Sequence, residues 1–198
     1  MMMNKDEVVL IANKNNGYLF SKIIKENNIP TAVIGRLVKD GVLTKVARGI
    51  YITNQGIEDQ LYVASIKYSR IIFSGDTALF LNGLSNKQSP GLEYTVPFGT
   101  CVPKIEGFDI KYCRNENKYA LGMIYIKTPF GNAVRCYDKE RCICDLFIRP
   151  DYYDYEDRIF AINEYKNRYL NFKKLYNYAE KLGVYEKVKN LFEVIGWN

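Results

Sequence analysis

The chain has 198 residues, 47% of them hydrophobic and 25% charged, with a formal net charge of +6, the balance of a globular protein with a real core in one large domain or two modest ones. The complete lack of histidine excludes Ser–His and Cys–His nucleophilic chemistry and every His-ligated metal site. An odd number of cysteines, five, with no apolar run of about 18 residues and an N-terminal apolar stretch broken by Asp6 and Glu7, leads us to expect reduced thiols, no signal peptide, no membrane span and a cytoplasmic protein.

Apolar spacing at Val8, Val9, Ile11 and Ala12 predicts a helix over 6–14, ended by Asn15-Asn16-Gly17. An extended stretch follows at 18–20, then Ser21 as the N-cap of a helix over 22–27. Ile29-Pro30 makes a turn, and a further helix covers 31–40 with Gly41 at its C′ position. Two β-rich runs, 42–46 and 50–53, flank Ala47-Arg48-Gly49 and read as a hairpin. Helix, helix, tight turn, helix, hairpin is the order of a winged helix-turn-helix, here spanning 1–56 with Asn54-Gln55-Gly56 as the linker.

Beyond the linker the pattern predicts a helix over 57–68, a short strand at 70–73, and a helix over 76–82 capped by Ser74 and closed by Gly83. Four β runs follow at 92–97, 108–112, 123–127 and 132–137. Helices are expected over 138–147, 155–169, 171–182 and 185–195. The fold class is therefore α+β: a winged helix-turn-helix, then a mixed α/β domain over 57–198 that ends in a helical bundle.

The charge is unevenly placed. Residues 1–56 hold eight Lys and Arg against four Asp and Glu, a net +4 of the chain's +6, an electrostatic footprint suited to nucleic acid. In the helix over 31–40, Ile34, Leu37 and Val38 share the inward face. Thr31, Ala32, Gly35, Arg36 and Lys39 occupy the other face, a small, polar and basic surface suited to a major groove. Arg36 can read a guanine edge with two hydrogen bonds, and Thr31 with the first-turn N–H groups can hold a phosphate. On the hairpin, Lys45 and Arg48 supply charge, and Gly49 lets the turn approach a DNA backbone. The same surface could also serve a protein contact.

In the second domain the densest charge cluster is Asp138, Glu140, Arg141 and Asp145. Its alternation with Cys142, Ile143, Leu146 and Phe147 reads most simply as an amphipathic helix whose acidic first turn suits the helix dipole. A divalent metal on Asp138, Glu140 and Asp145, with nuclease-type chemistry, is the alternative. Cys136, Cys142 and Cys144 lack the paired spacing of a zinc site, and no metal or other cofactor is expected. The segment from Gly75 to Gly83 has neither Walker nor Rossmann spacing. The acidic, tyrosine-rich stretch 151–157 reads either as a protein-contact surface or as a helix start with Asp154 as cap. Leu170, Leu175, Tyr178, Ala179 and Leu182, then Val184, Val188, Leu191, Phe192 and Ile195, form two helical core stripes.

The order of these segments resembles the AbiEi-type antitoxins of abortive-infection toxin–antitoxin systems. The hairpin Leu43-Thr44-Lys45-Val46-Ala47-Arg48-Gly49-Ile50-Tyr51 carries the resemblance first. Ser74, Ala78-Leu79 and Gly83-Leu84 continue it, then Val96-Pro97-Phe98-Gly99, the helix from Asp138 to Leu146, and the closing run from Leu175 to Val184. The family often has histidine where this chain has Asn82. The resemblance implies an N-terminal domain that represses its own promoter on double-stranded DNA, and a C-terminal domain that neutralises a cognate nucleotidyltransferase-like toxin without a stable complex. It implies no enzymatic activity, with Asp138, Glu140, Arg141 and Asp145 as candidates for the antitoxin role. The protein is expected to act as a homodimer or as two monomers meeting on DNA, with no membrane partner. A ligand-sensing transcription factor with the same winged helix is a further alternative to the nuclease.

Overall fold

Asn4 opens the chain's first helix with a capping box: it accepts from the Glu7 N–H at 2.8 Å while Glu7 accepts from the Asn4 N–H at 2.8 Å. In the computed structural model, which describes residues 4–87, 91–100, 108–113 and 115–194, that helix is α1 (Lys5–Asn13). Cys101 and the end of the last predicted helix, at Ile195, lie outside the described residues. The architecture is mixed α+β and divides into two units.

The first unit contains α1, β1 (Tyr18–Phe20), α2 (Ser21–Glu26), α3 (Thr31–Lys39), β2 (Leu43–Ala47), β3 (Ile50–Thr53) and α4 (Gln60–Lys67), and also takes in residues Thr128–Asn132. It therefore runs on through α4, past the 54–56 segment. Its three strands are antiparallel in the order β1-β3-β2. One core gathers Val8, Leu19, Ile23, Val33, Leu37 and Leu43; a second joins Tyr18, Ile50 and Ile52 to Tyr62, Val63 and Ile66 of α4. Ser21 is not the N-cap expected from its position. Phe20 holds that place, and Ser21 is the first helical residue, its hydroxyl 3.5 Å from the Gly49 carbonyl.

Asp59 explains why α4 starts later than its apolar pattern does. It is only 1% exposed, and its Oδ1 accepts from the Tyr62 N–H at 3.1 Å, as an N-cap does. Its Oδ2 accepts from the Thr128 hydroxyl at 2.6 Å and the Asn132 carboxamide at 2.8 Å. Its own N–H donates to Tyr18 Oη at 2.7 Å, and Asn16 donates to the Asn132 side-chain oxygen at 2.8 Å. A carboxylate taken out of water is tolerable only when its lone pairs are used in this way. Asp59→Ala leaves three donors without an acceptor and should destabilise this unit by about 3 kcal/mol; urea unfolding followed by circular dichroism measures it, and a loss below about 1 kcal/mol would show that water replaces the carboxylate.

The second unit spans Tyr68–Lys127 and Ala133–Asn198. It holds β4 (Ile72–Phe73), α5 (Gly75–Leu81), β5 (Leu92–Pro97), β6 (Phe108–Cys113), α6 (Glu116–Ala120), β7 (Met123–Lys127), β8 (Ala133–Tyr137), α7 (Lys139–Ile148), α8 (Tyr155–Arg168), α9 (Phe172–Leu182) and α10 (Tyr185–Val194). Its mixed sheet has the order β6-β5-β4-β8-β7, with β4 parallel to β8 and β5 parallel to β6. Ser74 sits at the start of α5 as expected but makes no side-chain cap; its hydroxyl instead accepts from Thr95 Oγ1 at 2.9 Å. Helix α6, too short for its periodicity to register in the sequence, is capped by Asn115, which accepts from the Lys118 N–H at 3.1 Å.

Helix α7 corrects a sequence expectation. It is not amphipathic with a solvated charged face, because every residue from Glu140 to Phe147 is buried. Helices α8, α9 and α10 pack around it, so no side of α7 is left for water. Among the described residues no helix is long and apolar enough to cross a membrane.

Candidate functional site

In the first unit, α3 presents the surface that its sequence pattern foretold. Ile34 and Leu37 are buried as expected, Val38 only partly, and Val33 completes the buried side, while Thr31, Ala32, Gly35, Arg36 and Lys39 are exposed. Pro30 holds the N-cap position without a side-chain bond to the first turn, so the Thr31 and Ala32 N–H groups have neither an intrahelical partner nor a side-chain cap. The first turn contains no acidic residue, and Arg36 and Lys39 fall in the last, where cations also suit the helix dipole.

Lys45 and Arg48 are exposed on the β2–β3 hairpin. The hairpin turns through Gly49 at φ +73°, and a Cβ there would stand 2.6 Å from Ser21 Oγ. Glycine is thus required by backbone conformation, and any Cβ there would also displace the Ser21 hydroxyl. An irregularity in the strand pairing between Lys45 and Ala47 bends the hairpin where its charged residues stand. Lys22 on α2 is also exposed, paired loosely with Glu26 at 3.9 Å.

The second cluster is of a different kind. Asp138, Glu140, Arg141 and Asp145 are between 3% and 6% exposed, and each is held by a partner. Asp138 is the N-cap of α7, accepting from the Arg141 N–H at 2.9 Å. Lys174 on α9 reaches Asp138 at 3.0 Å and Glu140 at 2.8 Å. Tyr178 donates to Asp138 at 3.2 Å, and Tyr165 to Glu140 at 3.3 Å. Burial opposes the charge on Lys174, but its bonds to Glu140 and Asp138 outweigh this and raise its pKa. Tyr178 is pushed up to about 12 by burial and by the neighbouring Asp138.

Arg141 pairs with Asp145 at 3.0 Å, donates to the carbonyls of Lys118 and Leu121 at 2.5 and 3.0 Å, and lies 4.3 Å above the Tyr137 ring. Gly122, at φ +80°, makes room for this helix start: a Cβ would come within 2.7 Å of Arg141 Cβ. Among the described residues no group of three or more His, Cys, Asp or Glu is placed to hold a metal ion. Cys136, Cys142 and Cys144 are buried free thiols, and burial raises the pKa of each, which keeps them protonated and unreactive.

Sequence reasoning missed Lys174 and Asp59. Lys174 lies in a run read only for its apolar stripe, more than thirty positions from the carboxylates it binds. Asp59 did carry a local signal, an aspartate immediately ahead of an apolar helix, which is the pattern of a cap.

No protein-family model matches the chain, and no curated protein does. In three dimensions the chain is similar to the crystal structure of the RV2827C protein from Mycobacterium tuberculosis, with a TM-score of 0.55 and 12% identity over 90% of this chain and 72% of that one; at that identity the likeness is one of fold.

Proposed function

We propose that residues 1–56 form a winged helix-turn-helix that binds double-stranded DNA, with α3 entering the major groove and the β2–β3 hairpin as the wing. The observation that carries this reading is the exposure together of Thr31, Ala32, Gly35, Arg36 and Lys39 along one side of α3 while its apolar side is buried. Arg48 and Lys45 on the hairpin add a second positive surface in the same unit. Uncapped N–H groups at Thr31 and Ala32 suit a phosphate oxygen, and Arg36 suits a guanine edge.

On the AbiEi-type resemblance, this binding represses the protein's own promoter. The remainder of the chain neutralises a cognate nucleotidyltransferase-like toxin in the cytoplasm, without enzymatic activity of its own. The cluster around Asp138, Glu140, Arg141 and Asp145 serves that role as the internal frame of the antitoxin domain rather than as a contact surface, because its charges are buried and paired.

Fluorescence anisotropy with the DNA upstream of the protein's own gene, against random duplex and across a salt series, tests the reading. Affinity should fall with salt at a slope of roughly −0.9 per phosphate neutralised and should be higher for the upstream DNA. Equal affinity for both duplexes would leave only a basic surface, and absence of binding would overturn the proposal.

A further inference from the structure

The outer face of β7 and β8 displays a grouping that the DNA-binding reading does not use. β7 is an edge strand, and its residues alternate: Ile124 and Ile126 turn inward and are partly buried, while Met123, Tyr125 and Lys127 are exposed. Tyr125 is 71% exposed, a large aromatic ring left in water on a rigid strand. The antiparallel register sets Arg135 of β8 directly opposite Tyr125, and Met123 opposite Tyr137, so these side chains share one face of the sheet.

The face continues toward Arg70. Tyr119 of α6 donates its hydroxyl to the Arg70 carbonyl at 2.5 Å, and both Arg135 and Arg70 act electrostatically on that phenol, drawing its pKa down against the larger upward effect of burial. Arg135 thus stands opposite the exposed Tyr125 ring and Lys127 lies on the same side of β7, while Arg70 lies beyond Tyr119. Glu116 stands 3.7 Å from Arg70, with both side chains largely in solvent. An ion pair this exposed holds Arg70 weakly.

We propose that the outer face of β7 and β8, centred on Tyr125 and Arg135 and extended by Lys127 and Arg70, is a binding platform for single-stranded RNA. An exposed ring on a sheet offers a stacking surface to an unpaired base, guanidinium planes can cover the base from the other side, and the cations neutralise the phosphates between bases. A duplex keeps its bases stacked on one another and cannot use the ring. The Tyr119 phenol oxygen, which feels the charge of Arg135, and the Glu116 carboxylate beside Arg70 can accept from a ribose 2′-hydroxyl, which deoxyribose lacks. Every residue invoked belongs to the second unit, so the platform is independent of α3 and the β2–β3 hairpin.

The test is fluorescence anisotropy of the full chain with an unstructured 12-nucleotide RNA, the DNA strand of the same sequence and its duplex. The RNA should bind more tightly than the single-stranded DNA. Tyr125→Phe should retain RNA binding, whereas Tyr125→Leu, which keeps an apolar side chain but no ring, should weaken it about tenfold. Arg135→Ala should weaken it and flatten its salt dependence. Arg36→Ala/Arg48→Ala should leave RNA binding unchanged, which separates this platform from the duplex-binding surface of the first unit. RNA binding that is undetectable, no better than that of the DNA strand, equal in Tyr125→Leu and the parent, or lost in the Arg36/Arg48 variant would overturn the proposal. So would concentration-dependent dimerisation abolished by Tyr125→Leu without RNA binding, which would give the face to a second copy of the chain.

Discussion

Arg36→Ala combined with Arg48→Ala is expected to weaken binding to the upstream duplex by about a hundredfold while leaving the fold intact. Each arginine stands in solvent, and a lost bidentate base contact or groove contact costs about 1–3 kcal/mol; two together come to about 3 kcal/mol, or two decades of Kd. The salt slope should also fall by nearly one for each phosphate contact removed. Removing exposed side chains that lack buried partners changes stability by about 0.5 kcal/mol at most, so circular dichroism and thermal midpoints should match the parent. Rescue of cells from the toxin should survive, because the proposed antitoxin domain is untouched. An unchanged Kd and slope would remove α3 and the hairpin from the interface; loss of rescue with DNA binding intact would reverse the roles assigned to the two units.

Arg141→Met is expected to cost the second unit about 3–5 kcal/mol, the largest stability change predicted for this chain. Breaking a buried ion pair from one side strands the other charge, and Arg141 and Asp145 have side chains only 3% and 4% exposed. The substitution also frees the Lys118 and Leu121 carbonyls and removes the cation from above the Tyr137 ring. The double variant Arg141→Met/Asp145→Leu should recover part of the loss, because it no longer buries a carboxylate that has lost its guanidinium. Denaturant unfolding followed by a probe in the second unit is the proper readout, since a chain of two units need not unfold in one step. A single-variant loss below about 1 kcal/mol, or a double variant worse than the sum of the singles, would show that the pair is not the support described. On the proposed antitoxin role, such a change should also diminish toxin neutralisation, through the amount of folded domain rather than through any chemistry at Arg141.

The β-rich run at 123–127 and the 3.6-residue spacing in α1, α3 and α9 left their elements readable from sequence, because residue preference marks a strand and periodicity reports which side of a helix faces the core. For the same reason the exposed side of α3 was legible down to Thr31, Ala32, Gly35, Arg36 and Lys39: a helix that buries Val33, Ile34 and Leu37 leaves those positions in water. Residue chemistry settled more, as in the loss of all histidine-dependent catalysis.

What sequence could not decide is where a charged residue goes when its helix is covered on every side. Asp138, Glu140, Arg141 and Asp145 read as a solvated face because ionised groups are seldom buried without partners. Their partners come from afar: Lys174 and Tyr178 from α9, Tyr165 from α8, and backbone carbonyls from the end of α6. Asp59 is the same case in the first unit, its acceptors filled by Thr128 and Asn132 some seventy residues away. Local sequence determined the elements and the exposed side of α3, since these depend on neighbours within a turn or a pleat. The tertiary structure alone decided which charges are internal, because burying a charge is governed by what the rest of the chain brings to it.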